Sequence, residues 1–312
     1  MPHQHPVLFR LSRMLHGLIS RSRTVSKGYL ETVGYLMRSG IRFPFRETIM
    51  INIRAFPWPQ IQFRPRNVRV TNDIEIKLVP HCGEFDFNAL FSNTLGYEPE
   101  LFKLLSSRLA RYDAILEIGA NVGVFTVFLA RQCLEQKLDT EIFSWEPSPL
   151  AYKRLIENLA ANEIRSVQVF NAAVSDISGF LALYEPEGHL TNGSLDPGFA
   201  SLFSSNIRKT VVPSVSSREI SALVCNRDRI LLKIDVEGAE ALVLKGLEPL
   251  IREKQPDLIL EVLEPYEQDL NALKFLSTMY NYYIIRGDSL TGMDSFVADP
   301  MFRDYLLVPR TN

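Results

Sequence analysis

Apolar residues near the start of the chain recur at helical spacing. Val7, Leu8, Leu11, Met14, Leu15 and Leu18 share one face of a helix over 6–19, and Arg10 and Arg13 lie off that face. Pro57, Pro59 and Pro65 then keep 54–70 extended. Ile74, Ile76 and Leu78 alternate as in a short strand. Tyr97-Glu98-Pro99-Glu100 opens a helix that runs through Leu101, Leu104, Leu105 and Leu109. From 114 onward the pattern changes. Short apolar runs predict strands at 114–118, 142–146, 167–171, 230–235 and 257–263, and helical periodicity predicts helices at 123–134, 149–161, 239–247 and 266–279. Such alternation implies a parallel sheet with right-handed crossovers. Runs near 281–285 and 304–308 have no helix between them and read as an antiparallel pair at the sheet edge.

One connection is far longer than the rest. About 58 residues separate the third strand from the fourth. Phe180, Ala182 and Tyr184 alternate there as one arm of a hairpin, and 185–209, rich in Gly, Ser, Asn and Pro, forms a loop placed to cover a site. That loop contains His189, Asn192, Gly193 and Ser194. The chain therefore divides into an extension over 1–90 (helical, then Pro-rich, then a short strand) and an α/β domain over 91–312.

Composition narrows the class. A chain of 312 residues with 46% hydrophobic and 22% charged residues is that of a soluble globular protein. No run of about 18 uncharged apolar residues predicts a membrane span. Cys82, Cys133 and Cys225 are far apart, which argues against a disulfide framework or zinc site and for a reducing compartment, the cytoplasm. The net charge of −2 conceals an asymmetry: residues 1–70 hold 12 Lys/Arg and 2 Asp/Glu, giving +10, and the remaining 22 basic and 34 acidic residues give −12. A basic amphipathic helix at 6–19 can lie on an anionic membrane surface, or pack on its own domain or on a second copy. The Arg/Ser-rich, acid-poor start also fits an organelle transit peptide.

The candidate chemistry gathers at strand ends. Ile115-Leu-Glu-Ile-Gly119-Ala-Asn-Val-Gly123 is a buried strand breaking into a helix through a turn bare of side chains, and the helix amides there are expected to face a ligand. The dinucleotide fingerprint needs a middle glycine, which Asn121 replaces. Glu117, before the turn, suits a cationic group better than a phosphate. The second strand ends in Glu146, followed by Pro147, Ser148 and Pro149; a carboxylate there can accept from both ribose hydroxyls of a nucleoside. After the third, Asn171-Ala-Ala-Val-Ser-Asp176 leaves room for a flat base. The fourth delivers Asp235, Glu237 and Glu240 to a helix start, where Glu240 reads as a cap.

Together these motifs resemble the FkbM-type family of S-adenosylmethionine-dependent methyltransferases over roughly 95–265. The resemblance rests on Tyr97-Glu-Pro-Glu100, Glu117-Ile-Gly-Ala-Asn-Val-Gly123, Trp145-Glu-Pro-Ser-Pro149, Asn171-Ala-Ala-Val-Ser-Asp176 and, most specifically, Lys233-Ile-Asp-Val-Glu-Gly-Ala-Glu240. It implies a seven-stranded, Rossmann-like class I sheet, mostly parallel with the last strand antiparallel. S-adenosylmethionine is the implied cofactor, and a hydroxyl of a small molecule, sugar or lipid the implied acceptor. Glu117, Gly119 and Gly123 would hold the methionine part, Glu146 the ribose, and Ala173 with Val174 the adenine, with Ala120, Asn121, Pro147 and Ser148 also placed against the cofactor. Asp235 is the first candidate for the base or acceptor-positioning group, Glu237 the second and His189 the third. Asp235 and Glu237 could instead hold a divalent cation, although no third ligand stands at matched spacing. The family often has Asp where this chain has Glu117. A nicotinamide-dependent oxidoreductase and a non-catalytic binding protein on the same fold are the competing readings. Nucleic acid is not an expected partner, because the basic residues are not interleaved with a stacking array.

Overall fold

The computed structural model describes residues 6–41, 45–54, 56–82, 84–187 and 192–310, with side chains from residue 10. The chain folds as two compact units, 1–69 with 75–95, and 70–74 with 96–312.

The first unit contains α1 (Pro6–Ile19), α2 (Arg23–Arg38), α3 (Arg46–Arg54) and an antiparallel pair, β1 (Arg66–Arg69) with β2 (Glu75–Leu78). Its core gathers Leu30, Met37, Ile53, Trp58, Phe63 and Phe87. Gly34 has no room for a side chain, since a Cβ there would stand 2.6 Å from the Leu90 carbonyl oxygen.

In the second unit α4 (Pro99–Arg108) precedes the alternation. It continues as β3 (Ala114–Ile118), α5 (Val124–Gln136), β4 (Glu141–Trp145), α6 (Pro149–Ala161), β5 (Val167–Phe170) and β6 (Ala173–Val174). Next come β7 (Gly179–Pro186), α7 (Pro197–Ser201), β8 (Ile207–Val215) and α8 (Ser217–Leu223), then β9 (Ile230–Ile234), α9 (Glu240–Gly246), α10 (Glu248–Lys254) and β10 (Asp257–Glu261). The chain finishes with α11 (Glu267–Ala272), α12 (Lys274–Met279), β11 (Tyr280–Arg286), β12 (Ser289–Met293) and β13 (Asp304–Pro309).

The main sheet runs β12-β11-β13-β10-β9-β3-β4-β5. β5, β4, β3, β9 and β10 are parallel; β13 is antiparallel to both β10 and β11. All five residues of β3 and of β9 are buried, as expected for central strands covered on both faces. Trp145 stacks on Phe170 at 5.0 Å, closing the β4–β5 end of the core.

Four features depart from the sequence expectation. The sheet has eight strands, not seven, because a tight turn at Gly287 (φ +54°) folds β12 back onto β11. The helix expected over 266–279 breaks at Leu273, whose ψ of +76° is not helical. The helix expected over 239–247 is followed directly by α10. The loop expected over 185–209 is shorter: β7 and β8 form an antiparallel hairpin from Gly179–Ser214 out to Pro186–Ile207, and α7 lies between them.

Candidate functional site

The site is built at the carboxyl ends of β3, β4, β9 and β10. Gly119 has φ +87°, and a Cβ added there would fall 1.7 Å from the Asp235 carbonyl oxygen, so only glycine lets β3 and β9 close together. Gly123, at φ +84°, opens α5 where a Cβ would meet Leu155 Cδ1 at 2.2 Å. Asn121 takes a left-handed φ of +53° between them.

Every backbone N–H from 119 to 123 already has a partner. Gly119 and Ala120 both donate to the Trp145 carbonyl, Asn121 to Glu146 Oε2 (2.7 Å), Val122 to Asn121 Oδ1 and Gly123 to the Ala120 carbonyl. The turn's own amides are therefore satisfied within the protein; the amides expected to face a ligand are those of the first turn of α5, which follows Gly123 with no side-chain cap. Beside the turn stands a carboxylate.

Glu146 lies one residue past β4 and is buried. Its two oxygens accept one backbone N–H each, from Asn121 and from Ser148 (both 2.7 Å). Each keeps a lone pair for a further donor. Burial, against the pull of those two N–H groups, raises its pKa to about 7. Glu117, also buried, accepts from Thr126 Oγ1 (2.6 Å) and Ser144 Oγ (2.9 Å), both on Oε2. Burial raises its pKa too, with Lys233 pulling the other way.

Ser148 caps α6 and donates from Oγ to Glu185 Oε1 (2.6 Å). Glu185, buried on β7, also accepts from Arg208 and Thr210 of β8. The hairpin is thus bonded to the Glu146 turn. Its connecting loop is bonded to the segments that follow β9 and β10: Ser194 Oγ donates to the Glu237 carbonyl at 2.7 Å, and Tyr266 Oη donates to Asp196 at 2.7 Å. The Tyr266 ring lies where a Cβ on Gly238 would stand 2.7 Å away.

Asp235 receives the buried Lys233 ammonium at 2.9 Å on Oδ2. Lys233 sits 4.4 Å over the Phe125 ring. Burial works against its charge, but Asp235, Glu117 and Glu98 outweigh it and hold its pKa above the ordinary lysine value. Glu117, Ser144 and Lys233 are register partners, which puts them on one face of the sheet. One step beyond the last β9–β10 pair, Asp235, Glu261 and Asp304 form a row, with Glu261 opposite Asp304. Burial, reinforced by neighbouring carboxylates, raises the pKa of Glu98, Glu237, Glu261 and Asp304. Glu240, the first residue of α9, accepts from the backbone N–H of Val236 and Gly238, so it closes the turn that leads into α9 rather than capping the helix amides as its position suggested.

Glu117, the 119–123 turn, Glu146–Ser148 and Asp235 are thus brought together. Ala173 and Val174 form β6 and are buried, Ala173 against Leu183 and Val212, Val174 in the main core. The residue of this segment that touches the Glu146 turn is Asn171, which donates to the Glu146 and Pro147 carbonyls. His189 lies outside the described residues. Among the described residues no cluster of three or more His, Cys, Asp or Glu is arranged to hold a metal ion. Lys233, Glu98, Glu261, Asp304 and Glu185 had no assigned role in the sequence reading. A lone lysine inside Leu231-Leu-Lys-Ile-Asp235 was the available signal for the first, and the strand-end rule applied to β10 reaches Glu261.

The model of the methyltransferase FkbM domain matches residues 117–284. Methyltransferase sdnD of Sordaria araneosa is 30% identical over 176 residues, covering 48% of this chain and 66% of that protein. Methyltransferase 1 of Beauveria bassiana is 26% identical over 156 residues, covering 43% of this chain and 58% of that protein. The chain thus spans less than two thirds of the length of either relative. The crystal structure of methyltransferase FkbM from Methylobacillus flagellatus superposes with a TM-score of 0.38 at 14% identity, over 62% of this chain and 43% of that one.

Proposed function

The chain belongs to the FkbM methyltransferase family, and we propose that it moves a methyl group from S-adenosylmethionine to a hydroxyl of a small molecule, sugar or lipid. The observation that carries this reading is the side-chain-bare turn 119–123, its amides satisfied within the protein and a buried carboxylate on either side. Carboxylates flank a turn whose own amides are satisfied, a setting that suits a cation with hydroxyls better than a pyrophosphate and favours this cofactor over a nicotinamide dinucleotide. When bound, the cofactor supplies an electrophilic methyl carbon on a sulfonium.

The residues present fit it. Both donors to Glu117 converge on Oε2, so Oε1 is the oxygen to meet an ammonium. Glu146 keeps one lone pair per oxygen for two ribose hydroxyls. Asn171 closes the turn on the base side, with Ala173 and Val174 behind it. Asp235 orients the acceptor hydroxyl and takes its proton, and Lys233 fixes the carboxylate for that task. Glu237 is the second candidate, its carboxyl made more basic by burial and by Asp235. Alignment of the hydroxyl is the larger part of catalysis here, since orientation can contribute ~7–11 kcal/mol.

The test has two arms. S-adenosylmethionine at about 100 times its dissociation constant should stabilise the chain by ~2.7 kcal/mol in a melting experiment, and Gly119→Arg should abolish the shift. An equal shift in that variant removes the cofactor assignment. Asp235→Ala should still bind the cofactor and transfer roughly 10²–10⁴ times more slowly; undiminished turnover reassigns the base to Glu237.

A further inference from the structure

α1 is seated the opposite way round from its pattern. Leu11, Met14, Leu15 and Leu18 are 57%, 70%, 51% and 61% exposed, whereas His16 is 1% exposed. The His16 ring lies 5.5, 5.3 and 4.9 Å from the rings of Tyr29, Phe56 and Trp58, and its Nε2 is 3.0 Å from Tyr29 Oη. Ser26 Oγ donates to the Ile19 carbonyl, fixing the end of α1 to α2. Rolling α1 to bury its apolar side would empty the His16 seat. Four large apolar side chains at i, i+3, i+4 and i+7 therefore face outward by construction, a patch that marks an interaction surface.

The surrounding charge selects the occupant. Residues 1–46 hold 8 Lys/Arg and a single acid, Glu31, and α1 itself contains no acidic residue. Arg10 and Arg13 are exposed beside the apolar positions, and Arg21 and Arg23 follow the helix end. A second copy would bring arginine against arginine with no acid on either helix to pair them. A lipid surface bearing phosphate and carboxylate groups takes both parts at once, the apolar side chains in the acyl boundary and the guanidiniums in the headgroup layer.

We propose that α1 is an in-plane anchor for an anionic lipid surface, inserted through Leu11, Met14, Leu15 and Leu18 and held by the arginines around them. No described helix is long and apolar enough to cross a membrane. A helix of 14 residues lying flat presents a footprint about 21 Å long.

The experiment sediments the full chain with vesicles of phosphatidylcholine mixed with phosphatidylserine, and with phosphatidylcholine alone, across a salt series. Binding should require phosphatidylserine and weaken with salt. M14E/L18E changes two exposed positions, so its melting temperature should stay at the wild-type value while vesicle binding falls roughly tenfold or more. R10A/R13A should lose roughly fivefold for each arginine and flatten the salt dependence. No sedimentation with either vesicle, or equal sedimentation of M14E/L18E, overturns the proposal. So does a dimer in sedimentation velocity that M14E/L18E dissolves without any vesicle binding, which assigns the surface to a second copy. Vesicle binding is read without cofactor or acceptor, so its outcome stands apart from that of methyl transfer.

Discussion

Glu146 shows how one residue can be both structural and chemical. Its carboxyl is buried among backbone donors with no basic side chain bonded to it, and desolvation lifts its pKa from 4.5 to about 7. The sign for stability follows: a raised carboxyl pKa contributes fully below the unfolded value of 4.5 and is lost as the pH climbs through about 7. Cofactor binding runs the other way, because ribose hydroxyls donate to the ionised form. Between about pH 8 and about pH 6, affinity for S-adenosylmethionine should fall about tenfold, and Glu146→Gln should flatten that slope. Isothermal titration at several pH values measures both, and a wild-type affinity that does not change with pH removes the role given to Glu146. This position was readable in the sequence because a carboxylate directly after a short apolar run and before Pro-Ser-Pro has few other places to be. Lys233 and Glu98 were not readable as partners: 135 positions separate them, and it is the folded chain that brings their charges within reach.

At the level of elements, the β7–β8 hairpin is tied to the start of α6 through one short bond, Ser148 Oγ to Glu185 at 2.6 Å. Ser148→Ala leaves the buried Glu185 one donor short, a loss worth about 1–3 kcal/mol. The expected outcome is a melting temperature lower by a few degrees together with weaker cofactor binding, and recovery of both in Ser148→Thr, which restores the hydroxyl. Lost stability with unchanged affinity would show that the hairpin does not shape the ribose end of the site. The order of strands and helices from 114 onward was legible because central parallel strands are continuous apolar runs; Ala114-Ile-Leu-Glu-Ile118 and Ile230-Leu-Leu-Lys-Ile234 are buried throughout. β12 was not legible for the opposite reason. Ser289-Leu-Thr-Gly-Met293 is an exposed edge strand with no alternation to read, and it is held by its pairing with β11. The outward seating of α1 was equally hidden, since an apolar helical face looks the same in sequence whether a core or a lipid covers it.

For the whole molecule, the two halves of the charge asymmetry fall largely on different units: the basic positions of 1–69 in one, the carboxylates Glu98, Asp235, Glu237, Glu261 and Asp304 in the other. Every bond described around the glycine turn comes from residues within 96–312, and the main sheet is contained there as well. A chain of this size can bury its own core. The fragment 96–312 should therefore melt cooperatively and bind S-adenosylmethionine within a few-fold of the full chain, while losing sedimentation with phosphatidylserine vesicles altogether. Titration calorimetry on the fragment reads the first part and co-sedimentation the second. A folded fragment that no longer binds the cofactor would mean that residues before 96 complete the pocket, and a fragment that still sediments would move the lipid contact off α1.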